Sequence, residues 1–501
     1  MTQTANPHRP LILAALMLFM MLAAIDVTIV STAVPQIVAD LGDFSLFTWV
    51  FSIYLLTQTV TIPLYGKLAD LYGRKPILLF GSGVFLLGSI ACALAWDMPS
   101  LIVFRGLQGL GAGAIMATVN TLAGDLYSVA ERGKVQGYLS SVWGVAAISG
   151  PVLGGTFVEY VSWHWIFLVN VPIGLIAIAL LSLYLKEEVV KKRHQIDYLG
   201  AASILAGATS LIFALMQGGT AWPWLSTASM TALLLSAVFI AFAIWTQTRA
   251  AEPIMPLWLW RHPAIAGANV AMIGMGFILM VPTAYMPTFA QSIYGLNAIS
   301  AGLVLAAISI GWPTASTLSA KLYLRIGYRN TALIGSACIL VATLGFLSLP
   351  YQAPIIMIVL DQILLGAGFG LLSTPLLVGA QASVEWHQRG VVTGANMFSR
   401  FLGQSLGIAL FGTLFNAHLA QQLTDAPRAL QPSLPENIDQ VVSQLQQLSL
   451  TSDIANYLRH AVFNAVSGLY IGLAVVAFII LIIVVLSPHE FNLNTKHARN
   501  H

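Results

Sequence analysis

The chain is a succession of apolar runs separated by short polar or Pro/Gly-marked turns. A bilayer core of about 30 Å takes about 20 apolar residues in helical form. By that measure the pattern predicts fourteen spans, at 10–34, 44–66, 76–96, 99–121, 134–158, 164–185, 198–217, 225–246, 264–288, 298–320, 328–349, 354–379, 390–415 and 461–486. The runs are continuous, whereas barrel strands alternate over about ten residues, so helices are predicted rather than a barrel. The first run is too long for the apolar segment of a cleavable signal peptide and leads straight into the next. This is the pattern of an all-α polytopic membrane protein.

Charge placement sets an expected orientation. With the N-terminus inside, 18 of the 22 Lys and Arg fall in cytoplasmic connections, Arg428 and Arg459 fall outside, and Arg105 and Arg400 fall within spans. The reverse orientation would violate the positive-inside rule at nearly every loop, so both termini are expected in the cytoplasm of a cell-membrane protein. Composition then removes whole classes of function. Only 8% of residues are charged and mean hydropathy is +0.82, which leaves no sizeable water-soluble domain. A net charge of +3 supplies too few cations for a nucleic-acid face. Cys92 and Cys338 lie inside apolar runs and read as small core residues, not a disulfide framework or metal cluster. No Walker loop, zinc-ligand spacing or nucleophile motif appears, so neither an enzyme nor a cofactor is expected.

Three connections stand apart. Lys186–Asp197 is a charged linker, and Arg249–Pro263 carries Trp258 and Trp260, suited to the membrane interface. The stretch 417–460 is the only long external loop. In it Ile438, Val441, Val442, Leu445 and Leu448 recur at helical spacing, which reads as a surface-packing helix or a docking face for an external partner protein. The chain also repeats itself. Gly109-Leu110-Gly111-Ala112-Gly113 matches Gly366-Ala367-Gly368-Phe369-Gly370, Arg132-Gly133 with Gly137 matches Arg389-Gly390 with Gly394, and Lys67, Gly73 and Gly81-Ser82 match Lys321, Gly327 and Gly335-Ser336. The order and the near-constant shift imply two parallel six-helix halves, the arrangement of transporters with a midplane site between repeats. The expected division is 1–186, a linker with two inserted spans at 187–263, and 264–501.

Motifs sharpen this. Gly66-Lys67-Leu68-Ala69-Asp70-Leu71-Tyr72-Gly73-Arg74-Lys75 lies on the turn between spans 2 and 3, where Asp70 can pair with Arg74 or cap a neighbouring helix. It resembles the loop signature of the major facilitator superfamily, which implies a conformational latch built on Gly66, Asp70, Gly73 and Arg74. The matching loop keeps Lys321, Arg325, Gly327 and Arg329 but has no acid, so a weaker latch is expected there. In span 5, Gly150-Pro151 followed by Gly154-Gly155 lets helices approach and bends the span. That segment resembles the antiporter motif of drug:proton exporters in the same superfamily. Ile25-Asp26-Val27-Thr28 ending at Pro35 is similar to the first-helix motif of the fourteen-span branch, and Trp163-His164-Trp165 through Asn170-Val171-Pro172 to another of its motifs. His164 departs from the Arg common there, which weakens any charge-based role at that position. Together these imply a major-facilitator fold over essentially the full length.

Charges inside the membrane are costly and point to function. Asp26 lies about 16 residues past Pro10, roughly 24 Å deep, and Arg105 lies roughly 9 Å from the opposite side, so in a core of about 30 Å their depths nearly coincide. A buried acid beside a base can switch between charged and neutral forms, although a static ion pair is the alternative. Arg105 with Gln108, Gly109 and Gly111 also resembles the family's fourth-helix motif, which is linked to proton transfer. Asp361 lies roughly 10 Å from the outside, with substrate contact, a second protonation site and plain structure all open to it. Arg400, near the midplane, is a candidate to balance Asp361 or another acid. Tyr54, Gln58, Trp143, Tyr285, Met286 and Asn396 complete the candidate cavity residues. The expected function is export of varied lipophilic, often cationic, drugs in exchange for protons; dedicated export of one metabolite is the alternative, and a channel fits less well.

Overall fold

A computed structural model describes residues 8–42, 46–187, 197–218, 222–427, 430–431, 434, 445 and 452–488. The first helix, α1 (Arg9–Ile29), passes through a tight turn at Val30–Ala33 into α2 (Val34–Leu41), where Pro35 lacks the N–H that would continue an unbroken span. There follow α3 (Phe47–Tyr72), α4 (Arg74–Ala93), α5 (Met98–Leu126) and α6 (Val129–Tyr160). The sixth predicted span is split into α7 (Trp165–Leu168) and α8 (Asn170–Tyr184), with Pro172 in the first turn of the second piece. Next come α9 (Tyr198–Gln217), α10 (Thr227–Arg249), the one-turn α11 (Trp258–Arg261) and α12 (Pro263–Tyr294). The tenth predicted span is likewise two helices, α13 (Ala298–Ala306) and α14 (Ile308–Ile326). The remaining helices are α15 (Tyr328–Ser348), α16 (Ile355–Ala382), α17 (Arg389–Thr424) and α18 (Ser452–Leu486).

Every predicted span coincides with a helix or a consecutive pair, and among the described residues the fold is all-helical apart from one isolated bridge, Gly218–Trp222. Twelve helical stretches are long and apolar enough to cross a membrane. The long helices outside that group, α3 and α17, pack on each other and carry polar positions such as Gln58, Thr59, Asn396 and Gln404. Several helices overrun their apolar runs. α17 continues well past residue 415 through Asn416, His418 and Gln421, where an exposed backbone needs no apolar cover. Of the helix expected near 438–448, all but Leu445 lies outside the described residues, as does most of the linker 187–196.

Buried side chains form two large clusters, one drawn mainly from α1–α8 and one from α12–α18. The repeated glycines make equivalent contacts in each. A Cβ on Gly111 would sit 2.3 Å from the Phe85 nitrogen on α4, and one on Gly368 would sit 2.9 Å from the Ile339 nitrogen on α15. Gly73 and Gly327 both take positive φ, 97° and 85°, at the turns into α4 and α15, a conformation that costs glycine little. The α9–α10 pair lies over the seam between the two groups, where Ala208 and Ile212 pack with Leu56, Val60, Phe398 and Leu402.

Candidate functional site

Asp26 projects from the buried face of α1 and Arg105 from the first turns of α5; both are 0% exposed. An Arg105 Nη1 donates to Asp26 Oδ2 at 2.5 Å and to Gln108 Oε1 at 2.7 Å. Asp26 Oδ1 accepts from Gln108 Nε2 at 2.7 Å and from Asn170 Nδ2 at 3.5 Å. Ser89 on α4 accepts from Gln108 (3.2 Å) and Asn170 (3.0 Å) and donates to the Phe167 carbonyl at 2.8 Å. Arg105 Nε donates to the Val50 carbonyl at 3.2 Å, and its guanidinium lies 4.2 Å over the Tyr54 ring. An ion pair stripped of water is tolerable only when further hydrogen bonds fill its remaining positions, and here uncharged amides do so. The set is incomplete. Arg105 Nη2, Asn170 Oδ1, the Tyr54 hydroxyl and Gln58 Oε1 are buried without a hydrogen-bond partner among the described residues.

A second network ties the two groups together at the end of the bundle where α1 begins. Arg74 reaches Asp70 at 2.7 Å, Asp125 at 3.0 Å and the Trp386 carbonyl at 2.6 Å, and it lies 3.6 Å over the Trp386 ring. Asp70 also accepts from the backbone N–H groups of Gly390 (2.9 Å) and Val391 (2.8 Å), the positive end of α17. It therefore pairs with Arg74 and caps a neighbouring helix at once. Arg389 completes the set by donating to Asp125 at 2.9 Å. Gly66 permits the approach, since a Cβ there would stand 2.5 Å from the Gly390 carbonyl oxygen. At the related corner, where the turn between α14 and α15 carries no acid, a Tyr323 hydroxyl donates to the Val129 carbonyl at 2.5 Å.

The remaining candidates are dispersed. Asp361 lies on α16 with its carboxyl accepting from Gln362 at 3.2 Å and facing Gly345 of α15. Arg400 turns the other way, its guanidinium 5.5 Å from the Trp312 ring and 5.3 Å from Phe401. No ion pair joins the two among the described residues, because their helices aim them at different neighbours. Asn396 is buried with its Nδ2 donating to Asn269 at 3.5 Å. Tyr285 packs on Phe415 with ring centres 4.6 Å apart, Met286 is buried in the second cluster, and Trp143 borders the first. A cavity of about 30 Å³ between α3, α12 and α17 is lined by Thr59, Met280, Gln404 and Ser405, among others.

Residues 16–408 match the sequence profile of the Major Facilitator Superfamily. The chain belongs to that superfamily. It is 32% identical over 461 residues to "Multidrug resistance protein 3" of Bacillus subtilis, covering 91% of this chain and 90% of that one. It is also 32% identical to the "Multidrug transporter protein MdtP" of the same organism, covering 87% and 81%. Among solved structures, a human organic anion transporter, MFSD10, aligns with a TM-score of 0.59 at 14% identity, over 94% of this chain and 99% of that one. The proton:xylose symporter XylE aligns with a TM-score of 0.57 at 13% identity, over 97% and 98%. The protein is thus a multi-pass membrane transporter and not an enzyme.

In this major-facilitator chain Ser89, Asp125 and Trp386 belong to no sequence motif, and Gln108 and Asn170 stand out only as members of motifs. Asp125 carried one usable signal, an acid at the end of a predicted span close to Arg132. Ser89 and Trp386 carried none. The glycines along α6 also divide in space. Gly133, Gly137 and Gly144 face α14 across the seam, whereas Gly150 faces Thr28 of α1, Gly154 faces Thr32 of the Val30–Ala33 turn, and Gly155 faces open space. A Cβ at Gly150 or Gly154 would meet a threonine hydroxyl at 2.1 Å. Gly150→Leu and Gly154→Leu are therefore expected to cost about 1–3 kcal/mol of stability by overpacking. Gly155→Leu should stay within about 0.5 kcal/mol of the parent. Thermal unfolding of the three detergent-purified variants separates them; equal losses at all three positions would refute the assignment of faces.

Proposed function

We propose that this protein is a fourteen-span drug:proton antiporter that exports varied lipophilic, often cationic, compounds, with both termini in the cytoplasm and Asp26 as the coupling carboxyl. The observation that carries the reading is the buried Asp26–Arg105 pair held by Gln108 and Asn170. A purely structural pair would gain by full satisfaction; this one leaves buried polar atoms beside it that water, a proton donor or a substrate can engage. In this arrangement Arg105 and Gln108 engage both carboxyl oxygens, and a cycle that draws them apart would expose the carboxyl to proton exchange. The printed names of the relatives, multidrug transporters and efflux pumps, support export.

In this reading residues 1–186 and 264–501 act as two halves around a central path, with 187–263 inserted between them. The Asp70–Arg74–Asp125–Arg389 clasp closes the cytoplasmic end. Substrate leaves outward in that state and a proton reaches Asp26; reversal opens the clasp, releases the proton inside and admits the next substrate. Tyr54 on α3 lies under the Arg105 guanidinium with Gln58 one turn further along, and Arg400 and Asn396 lie on α17 as further candidates for substrate contact. Asp361, Trp143, Tyr285 and Met286 are the more remote candidates for substrate contact. The test uses proteoliposomes with an imposed pH gradient and a panel of cationic dyes, quaternary ammonium compounds and neutral antibiotics. Adding a transported compound should release protons and collapse the gradient only with protein present. Export that ignores the pH gradient would overturn proton coupling, and transport of a single compound in the panel would overturn the broad substrate range.

A further inference from the structure

The seam between α6 and α14 carries a groove of about 430 Å³ lined by Tyr138, Ser141, Pro313, Thr314, Thr317 and Leu318. Close contact behind it is made by small residues, since a Cβ on Gly137 would meet Thr317 at 1.9 Å and one on Gly133 would meet Ala320 at 2.6 Å. The groove opens on the outer surface of two membrane-crossing helices, where Tyr138 is 40% and Leu318 50% exposed. Its serine and threonine hydroxyls are turned to their own helices. Ser141 donates to the Tyr138 carbonyl, Thr314 to that of Ile310 and Thr317 to that of Pro313, at 2.8, 2.6 and 2.9 Å. What faces the membrane is therefore mainly ring, methyl and methylene, with the Tyr138 hydroxyl the polar exception.

Two cations stand at the end of this groove. Lys134 precedes Tyr138 by one turn and Ser141 by two, and Lys321 follows Thr317 by one turn and Thr314 by two, so helical periodicity puts both lysines on the stripes that form the walls. The contact of Gly133 with Ala320, their immediate neighbours in sequence, brings the two stripes together there. Both lysines are exposed, and neither makes an ion pair among the described residues; Lys134 has only the Tyr138 ring, 5.8 Å from its Nζ. The nearby carboxylate of Glu131 is engaged by Ser128 and Arg9.

We infer that this groove is a binding site for one anionic phospholipid, its headgroup held by Lys134 and Lys321 and an acyl chain laid between α6 and α14. The charge complements a phosphate diester, the walls complement hydrocarbon, and basic pockets between spans select anionic headgroups. Because α6 and α14 meet across the seam, the lipid sits where the two groups of helices must slide.

Native mass spectrometry of the detergent-purified chain, titrated with dioleoyl phosphatidylglycerol or dioleoyl phosphatidylcholine, tests this. The anionic lipid should bind at least tenfold tighter than the zwitterionic one. Lys134→Ala and Lys321→Ala should each weaken it roughly fivefold, and together roughly 25-fold, with Arg261→Ala as a control that leaves it unchanged. The double Lys→Arg variant should bind as the parent does, which separates charge from fold. Thr314→Trp, with both lysines present, should weaken binding by filling the groove. Equal affinity for both lipids, or a double alanine variant that binds like the parent, would overturn the site. Displacement by soluble glycerol 3-phosphate at equal concentration would show a bare anion site and overturn the acyl-chain half of the inference.

Discussion

Asp26→Asn is expected to insert and still bind substrate, yet to lose proton release on substrate addition and all extrusion against a gradient. The amide keeps roughly the carboxyl's shape and its one oxygen can still accept from Gln108 or Arg105, but it has no proton to exchange at any accessible pH. The change also leaves Arg105 buried without a counter-charge, which costs about 3–5 kcal/mol in comparable pairs. A drop in stability alone would blur the result, so the pair matters. Asp26→Asn with Arg105→Gln removes the orphaned charge and should recover most of the stability while remaining uncoupled. Proton release measured in proteoliposomes, beside thermal unfolding of both variants, separates coupling from folding. If Asp26→Asn drives efflux from a pH gradient at the parent rate, Asp26 is structural and Asp361 becomes the next carboxyl to test in the same way.

Arg74→Ala is expected to open the clasp. Arg74 is 0% exposed and serves two carboxylates, a carbonyl and an indole ring at once, so its loss removes the cation that Asp70 and Asp125 share in a dry corner. Breaking a buried charge network by removing one partner costs about 3 kcal/mol or more, which corresponds to a shift of at least about 100-fold in the opening equilibrium. Met397 offers a place to read it. It is 5% exposed, with its sulfur 3.9 Å from Asn120 Nδ2 across the seam, and cysteine is a modest change there. In a background without Cys92 and Cys338, the Met397→Cys side chain should react with a water-soluble maleimide roughly 100-fold faster once Arg74 is alanine. Arg74→Lys should fall between, since a lysine keeps the charge but cannot fork to two acids while lying flat on Trp386. Unchanged labelling in Arg74→Ala would mean that the helix contacts around Gly66 and Gly390 hold that end shut unaided.

Much of this molecule was legible before any coordinates. The apolar runs located every long helix, although several helices run five to nine residues past an apolar run at one end, since the need to span a bilayer with satisfied backbone bonds leaves helices as the only continuous solution. Where boundaries slipped, as at the far end of α17, a polar segment simply continued a helix already nucleated in apolar surroundings. Asp26 and Arg105 were matched by depth alone, because both sit on regular helices with a fixed rise per residue. The same reasoning could not pair Asp361 with Arg400, and the structure shows why: depth says nothing of rotation, and the two side chains point at different helices.

Sequence by itself determined what depends on local pattern: the helices, the Gly66–Lys75 turn, the repeat and the superfamily. Tertiary structure alone decided which side chains meet. Ser89 and Asn170 joined the Asp26–Arg105 pair, and Asp125, Trp386 and the α17 N-terminus joined Asp70 and Arg74, through contacts spanning as many as 321 positions of chain. Those meetings depend on how each helix is turned about its axis and where it crosses its neighbours. Both follow from small-residue packing between surfaces far apart in sequence, such as Gly66 against Gly390 and Gly133 against Ala320, and no local periodicity encodes that choice.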